Sequence, residues 1–161
     1  MKQEAQEMSD MPEFRYGGAR ALTVLHEKEL RLFVETWKKA REAGVTLPPV
    51  KNPDYESLEQ LLHHVVFRAR DNMIWICRQL ELPEPQLDPV PEAPALESRV
   101  DDYLDRLLPQ LRTPLLEVPG RQFYFKTYPS PWKTDYCIDA MLEHMVMHPL
   151  RHRFQLETLM G

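Results

Sequence analysis

Apolar residues recur along the chain at intervals of three and four, the period of a helix that buries one face, and four segments carry this pattern. Ala19 to Ala43 presents Leu22, Leu25, Leu32, Phe33 and Trp37. Ser57 to Leu80 opens on Ser57-Leu58-Glu59-Gln60, a capping-box spelling. Leu96 to about Leu116 places Leu96, Val100, Tyr103, Leu104, Leu107 and Leu111 at helical spacing. It is entered through Ser98-x-x-Asp101, and Pro109 and Pro114 argue against its continuity. Thr134 to Met160 is the longest segment. Prolines separate the four: Pro48, Pro49 and Pro53 after Gly44, a run from Pro83 to Pro94, and Pro119-Gly120 through Pro131. The aromatic stretch Arg121 to Tyr128 alternates weakly and predicts a short extended piece.

Four amphipathic helices of about 20–27 residues predict an all-α fold, a four-helix bundle. Its two connections of about fifteen residues exceed the usual two to eight and are long enough to cross over the bundle. The expected organisation is an N-terminal lead-in, residues 1–18, followed by one helical domain, residues 19–161. A length of 161 residues suits a single domain. Hydrophobic residues at 43% and charged residues at 28% give an ordinary globular balance. The formal net charge of -5 leaves no electrostatic footprint for nucleic acid. Two cysteines, Cys77 and Cys137, exclude a disulfide framework and a four-cysteine zinc module, and read as small buried hydrophobes. The start, Met1 to Met8, is too charged for a signal peptide, and no apolar run approaches a membrane span. The expected setting is cytoplasmic, with neither membrane nor nucleic acid as partner.

The last segment carries the chemistry. Ile138, Met141, Met145, His148, His152, Gln155 and Leu159 alternate by three and four residues, the seam spacing of a bundle helix. Three successive seam positions are therefore His, His and Gln, although an unpaired buried imidazole costs roughly 1–3 kcal/mol. A metal ion inside the helices offsets that cost, and the i, i+4 offset of His148 and His152 is the one that places both zincin histidines on one ion. A third ligand comes from another helix, with His63 or His64 as the supply; His144 is a fourth ligand or an outer partner. Met141, Met145 and Met147 read as core filling, His26 among Glu27, Lys28 and Glu29 as surface, and Asp71 as solvated or ion-paired.

On the second helix Leu58, Leu62, Val65, Ala69, Met73, Ile76 and Leu80 form one apolar face. His64 projects nearly opposite, beside Leu61, Phe67, Asp71 and Trp75, with His63 on the flank. A helix apolar almost all round is buried on two sides, one of them against a second subunit, which predicts a homodimer.

The stretch His144 to Gln155 resembles the closing motif of the DinB/YfiT-like metalloenzymes: a His, three residues on an Asn-His pair, then His-His-Arg-Gly-Gln. Leu61-Leu62-His63-His64-Val65 is similar to that family's first-ligand motif, Leu-Leu-x-His and an aliphatic residue. The alignment assigns the ligand position to His64. Met147 stands in place of the family's Asn, Arg151 in place of the first His of the pair, and Phe154 in place of Gly. Pro149 removes a hydrogen bond between the two final ligands. The resemblance implies a dimeric DinB/YfiT-like four-helix bundle holding zinc or nickel through His64, His148 and His152. It also implies a thiol-dependent transferase, using a low-molecular-weight thiol cosubstrate, or a hydrolase acting on a small molecule. A metal-bound water or thiolate is the expected nucleophile. Gln155 is the expected outer or substrate contact, and Phe123 to Tyr128 with Trp132 the expected pocket mouth. The alternative is a non-catalytic dimeric helical module, for binding or stress, whose metal is structural or absent.

Overall fold

The computed structural model describes residues 10–161. Residues 1–9, and with them half of the expected lead-in, lie outside the described residues. The chain is all-α, with one minimal hairpin. Helix α1 spans Gly17–Glu42, α2 Leu58–Gln79, α3 Ala93–Glu97, α4 Val100–Leu111, α5 Arg121–Tyr124 and α6 Ile138–Met160. A single 3-10 turn, Pro53–Tyr55, precedes α2. Strands β1, Tyr128–Pro129, and β2, Asp135–Tyr136, pair antiparallel.

Local chemistry sets the boundaries. Gly44 adopts φ +68°, and the Gly44 and Val45 N–H groups bond to the Arg41 and Ala40 carbonyls, so α1 ends where only glycine turns freely. Ser57 Oγ accepts from the Gln60 N–H at 3.2 Å and starts α2, as its spelling predicts. The third expected helix is broken in two. Ser98 Oγ donates back to the Ala95 carbonyl instead of capping Asp101, so the chain restarts at Val100. Pro109 fits inside the last turn of α4, which then stops two residues later at Leu111. The aromatic stretch is mostly not extended: Arg121–Tyr124 is a helical turn, and only Tyr128 and Pro129 pair as strand. Cys137 is half-buried and caps α6, its sulfur accepting from the Ala140 N–H at 3.4 Å; it is a cap and not core filling.

Helix α1 packs most extensively on α6, while α2 lies against α6, α3 and the 3-10 turn, and α4 touches α1, α2 and α3. Leu30, Phe33 and Trp37 from α1 meet Leu62, Val65, Met73 and Ile76 from α2, Tyr103, Leu104 and Leu107 from α4, and Ile138, Met141 and Met145 from α6 in one continuous core. The Trp37 indole donates to the Leu58 carbonyl at 2.6 Å and so pins the α1–α2 connection at its far end. Arg112 grips Glu27 with two bonds of 2.7 and 2.8 Å, and Arg153 holds Glu29, tying α1 to both neighbours. Asp88 anchors the proline-rich strap: Tyr103 and Arg70 donate to its carbonyl, Arg106 and Gln110 to its carboxylate. Among the described residues no helix is long and apolar enough to cross a membrane.

Two burial patterns differ from the sequence reading. His26 is 4% exposed, because the buried line on α1 runs Ala19, Thr23, His26, Leu30, Phe33, Trp37 and Ala40, with Leu25 turned to solvent. On α6 Met141 and Met145 fill the core, but Met147 faces out. The seam also drifts. A helix of about 3.6 residues per turn rotates Leu159 some 60° from Ile138, whereas Leu156 returns to the same face. Accordingly Leu156 is buried and Leu159 exposed. Both sides of α2 are largely covered by the chain itself, Leu61 and Ile74 included, leaving Phe67 exposed.

Candidate functional site

His64 on α2 and His148 and His152 on α6 converge in the interior, one ligand-competent nitrogen from each lying within 4.8 Å of the others. Each arrives for a local reason. The capping at Ser57 fixes the register of α2, so His64 falls on the side facing α6. One turn of α6 separates His148 and His152, whose rings lie 4.9 Å apart and nearly perpendicular. Helix α6 runs on through Pro149, which is buried between them.

Hydrogen bonds set the orientation of two rings. Asp54 Oδ2 lies 3.1 Å from His64 Nδ1, and Gln155 Oε1 lies 3.0 Å from His152 Nδ1. An acceptor at each Nδ1 keeps the proton there, so each Nε2 presents its lone pair inward. His64 Nε2 is 3.0 Å from His148 Nε2, and His152 Nε2 is buried with no hydrogen-bond partner among the described residues. Burial favours the neutral imidazoles. It pushes His148 down to about 2, helped by the neighbouring histidines, and His64 down to about 4 against the opposing pull of Asp54. His152 and His144 are also lowered, again chiefly by burial.

His64 and His152 thus aim lone pairs at one small volume beside His148 Nε2, and nitrogens brought this close repel each other unless a proton or a cation lies between them. With metal–nitrogen bonds of about 2.0–2.1 Å a tetrahedral ion separates its ligand atoms by about 3.3 Å. The His64–His148 Nε2 pair, at 3.0 Å, lies near that value, and the whole set lies within 4.8 Å. The carboxylate behind His64 and the amide behind His152 match the outer partners that metal-bound histidines ordinarily have. The donor set therefore has the chemistry to hold a divalent metal ion.

The remaining sequence candidates are placed as follows. Gln155 reaches His152 directly. His144 does not join the three; its ring stacks 5.8 Å from His148 and is backed by Trp132 at 4.9 Å and Tyr136 at 5.9 Å. His63 turns away and stacks on Phe67. Asp71 pairs with Arg68. The aromatic stretch divides: Phe123 is buried against Tyr16, Phe125 is exposed, Tyr128 meets Trp75, and only Trp132 reaches the histidines, through His144.

Two residues at the site escaped the sequence reading, Asp54 and Tyr55. Both stand on the 3-10 turn, where Asn52 accepts from the Asp54 N–H and Pro53 presets the first position. The Tyr55 hydroxyl lies 3.3 Å from His64 Nε2, and its ring lies 5.6 Å from that of His152. The signal was the turn spelling Asn52-Pro53-Asp54 within a connection long enough to cross the helices. The same connection shapes a depression of about 200 Å3 lined by Leu47, Pro48, Val50, Tyr55, His152 and Gln155. Two larger cavities, about 660 and 580 Å3, involve the far end of α2 and the proline-rich strap. Gln79 at the first of these is fifteen residues from His64 along α2, roughly 22 Å at 1.5 Å per residue. Compared with known proteins, the chain matches no protein-family model, no curated protein and no solved structure.

Proposed function

We propose that the protein is a metal-dependent enzyme of DinB/YfiT-like type, a four-helix bundle of α1, α2, the α3–α4 pair and α6. On this reading it holds one divalent ion, zinc or nickel, through His64, His148 and His152. The observation that carries it is the convergence of three neutral imidazoles with their Nε2 atoms turned inward, one of them buried and unpartnered. Asp54 and Gln155 fix the two outer rings by their Nδ1 protons. Three neutral ligands leave such an ion its full charge, and the chemistry it supplies when bound is Lewis acidity at an open position. Among the described residues the carboxylate that reaches the three histidines is Asp54, which is engaged by His64 Nδ1 and so is not free to act as general base. That favours a thiol-dependent transferase, whose nucleophile arrives with a low-molecular-weight cosubstrate, over a hydrolase. As part of the same reading the protein is a homodimer through the outer side of α2, where Phe67 is 37% exposed.

Elemental mass spectrometry of the purified, untagged protein tests the proposal. About one equivalent of zinc or nickel per chain is expected in the parent and loss of it in His148→Ala and His152→Ala. A parent that takes up no metal after incubation and buffer exchange sinks the reading. One observation favours a structural, non-catalytic metal instead: the depression at the histidines is smaller than the roughly 300–1,000 Å3 of most ligand pockets. Exchange of bound ligand at the metal, read on cobalt-substituted protein, separates the two, because a structural site is closed.

A further inference from the structure

We propose that the depression over His152 is a binding site for a small aliphatic carboxylate, its charged head beside the three histidines and its chain against the α1–α2 connection. The inference rests on the metal reading above and adds the ligand class. Its walls carry two kinds of group. Leu47, Pro48 and Val50 form an apolar side, and Val50 is 56% exposed, an aliphatic surface left largely open among the described residues. Tyr55, His152 and Gln155 form the polar end.

That polar end is made of donors. The Tyr55 hydroxyl lies at 3.3 Å from His64 Nε2, which it can reach only while that lone pair is uncommitted. Once Nε2 binds an ion, the phenol has lost its acceptor and its O–H turns to whatever sits beside the ion. Gln155 commits its carbonyl oxygen to His152 Nδ1, which leaves the –NH2 group as its donor. Two donors and a cation suit a carboxylate, with its two acceptor oxygens and single negative charge. Among the described residues no acid lines the depression, and the nearby Asp54 carboxylate is turned to His64 Nδ1. Size limits the chain. A volume of about 200 Å3, below the roughly 300–1,000 Å3 of most ligand pockets, suits a short-chain acid.

Cobalt-loaded full-length protein reports the binding through its visible ligand-field spectrum, titrated with straight-chain carboxylates from acetate to octanoate. Affinity is expected to rise about fourfold per methylene, from ~0.8 kcal/mol each, and to level off before octanoate. Tyr55→Phe keeps the ring and should weaken every member by roughly 10- to 100-fold, the worth of one charge-assisted bond, without changing cobalt stoichiometry. Val50→Ser, at an exposed position, should flatten the chain-length dependence and spare acetate. Cobalt uptake with carboxylate affinities that ignore chain length and the loss of the Tyr55 hydroxyl would overturn this inference alone. Failure to take up cobalt at all would remove the metal reading and this inference with it.

Discussion

Replacing His26 with leucine is expected to make the protein markedly more resistant to acid. The imidazole lies on the buried line of α1, 4% exposed, and its Nε2 has no hydrogen-bond partner among the described residues. Burial alone pushes its pKa down to about 4, against about 6.5 in an unfolded chain. The folded value is the depressed one, so the unfolded chain takes up the proton first. The stability this group leaves intact above pH 6.5 is therefore lost as pH falls toward 4. Linkage gives the size: between pH 7 and pH 5 the parent loses roughly 2 kcal/mol on this account, and about 3 kcal/mol by pH 4. Leucine has no proton to take up and no buried nitrogen to leave unsatisfied, a penalty of about 1–3 kcal/mol at any pH. Urea unfolding followed by far-ultraviolet circular dichroism, in chelator at pH 7, 6 and 5, measures both. The other imidazoles are common to the two proteins, so the gap between the curves isolates His26. It should widen by about 2 kcal/mol from pH 7 to pH 5. Curves that run parallel would refute the claim that a neutral, desolvated imidazole sits at this position.

Three further outcomes are expected. Asp54→Ala frees the His64 ring and should weaken zinc binding by about 10- to 100-fold in a competition titration, with stoichiometry unchanged at saturation. Arg112→Met leaves Glu27, 12% exposed, without its two-pronged partner. It should cost about 2–3 kcal/mol by urea melt, much of it restored by adding Glu27→Gln. Chelation should leave the helical signal intact, because the core stands without the ion. Zinc at about 100 times its Kd should add ~2.7 kcal/mol and raise Tm by on the order of 5–10 °C.

What the sequence disclosed and what it hid follow from the range of each signal. Helix ends were legible where a side chain acts on its own neighbours, as at Ser57 and Gly44. The Ser98 spelling misled because its hydroxyl had a second local acceptor, the Ala95 carbonyl, and took it. His26 misled because charged neighbours in sequence lie on other sides of the helix. Its spacing from Thr23 and Leu30 was the better guide. The pairing of His148 with His152 is a property of one helix and was readable, whereas their meeting with His64 depends on how α2 and α6 pack. Asp54 and Tyr55 were invisible as site residues, because a turn spelling says how a chain bends and not what it bends over.

The arrangement separates what holds the fold from what equips the site. Trp37, Phe33, Leu62 and Leu104 close the core below, and the two arginine clamps on α1 bind its neighbours without touching the histidines. His148, His152 and Gln155 occupy the stretch of α6 where the seam is polar, and the α1–α2 connection lines the depression beside His152 and Gln155. A connection held at its start by the Gly44–Val45 turn and at its end by the Ser57 cap and the Trp37 bond to Leu58 can vary in its middle at little cost to stability. On the proposed reading residues 47–55 set what reaches His152, while the three histidines are carried by helices that also build the core. Substitutions at Leu47, Val50 or Tyr55 would then alter what binds, and substitutions at His148 or His152 whether a metal is held.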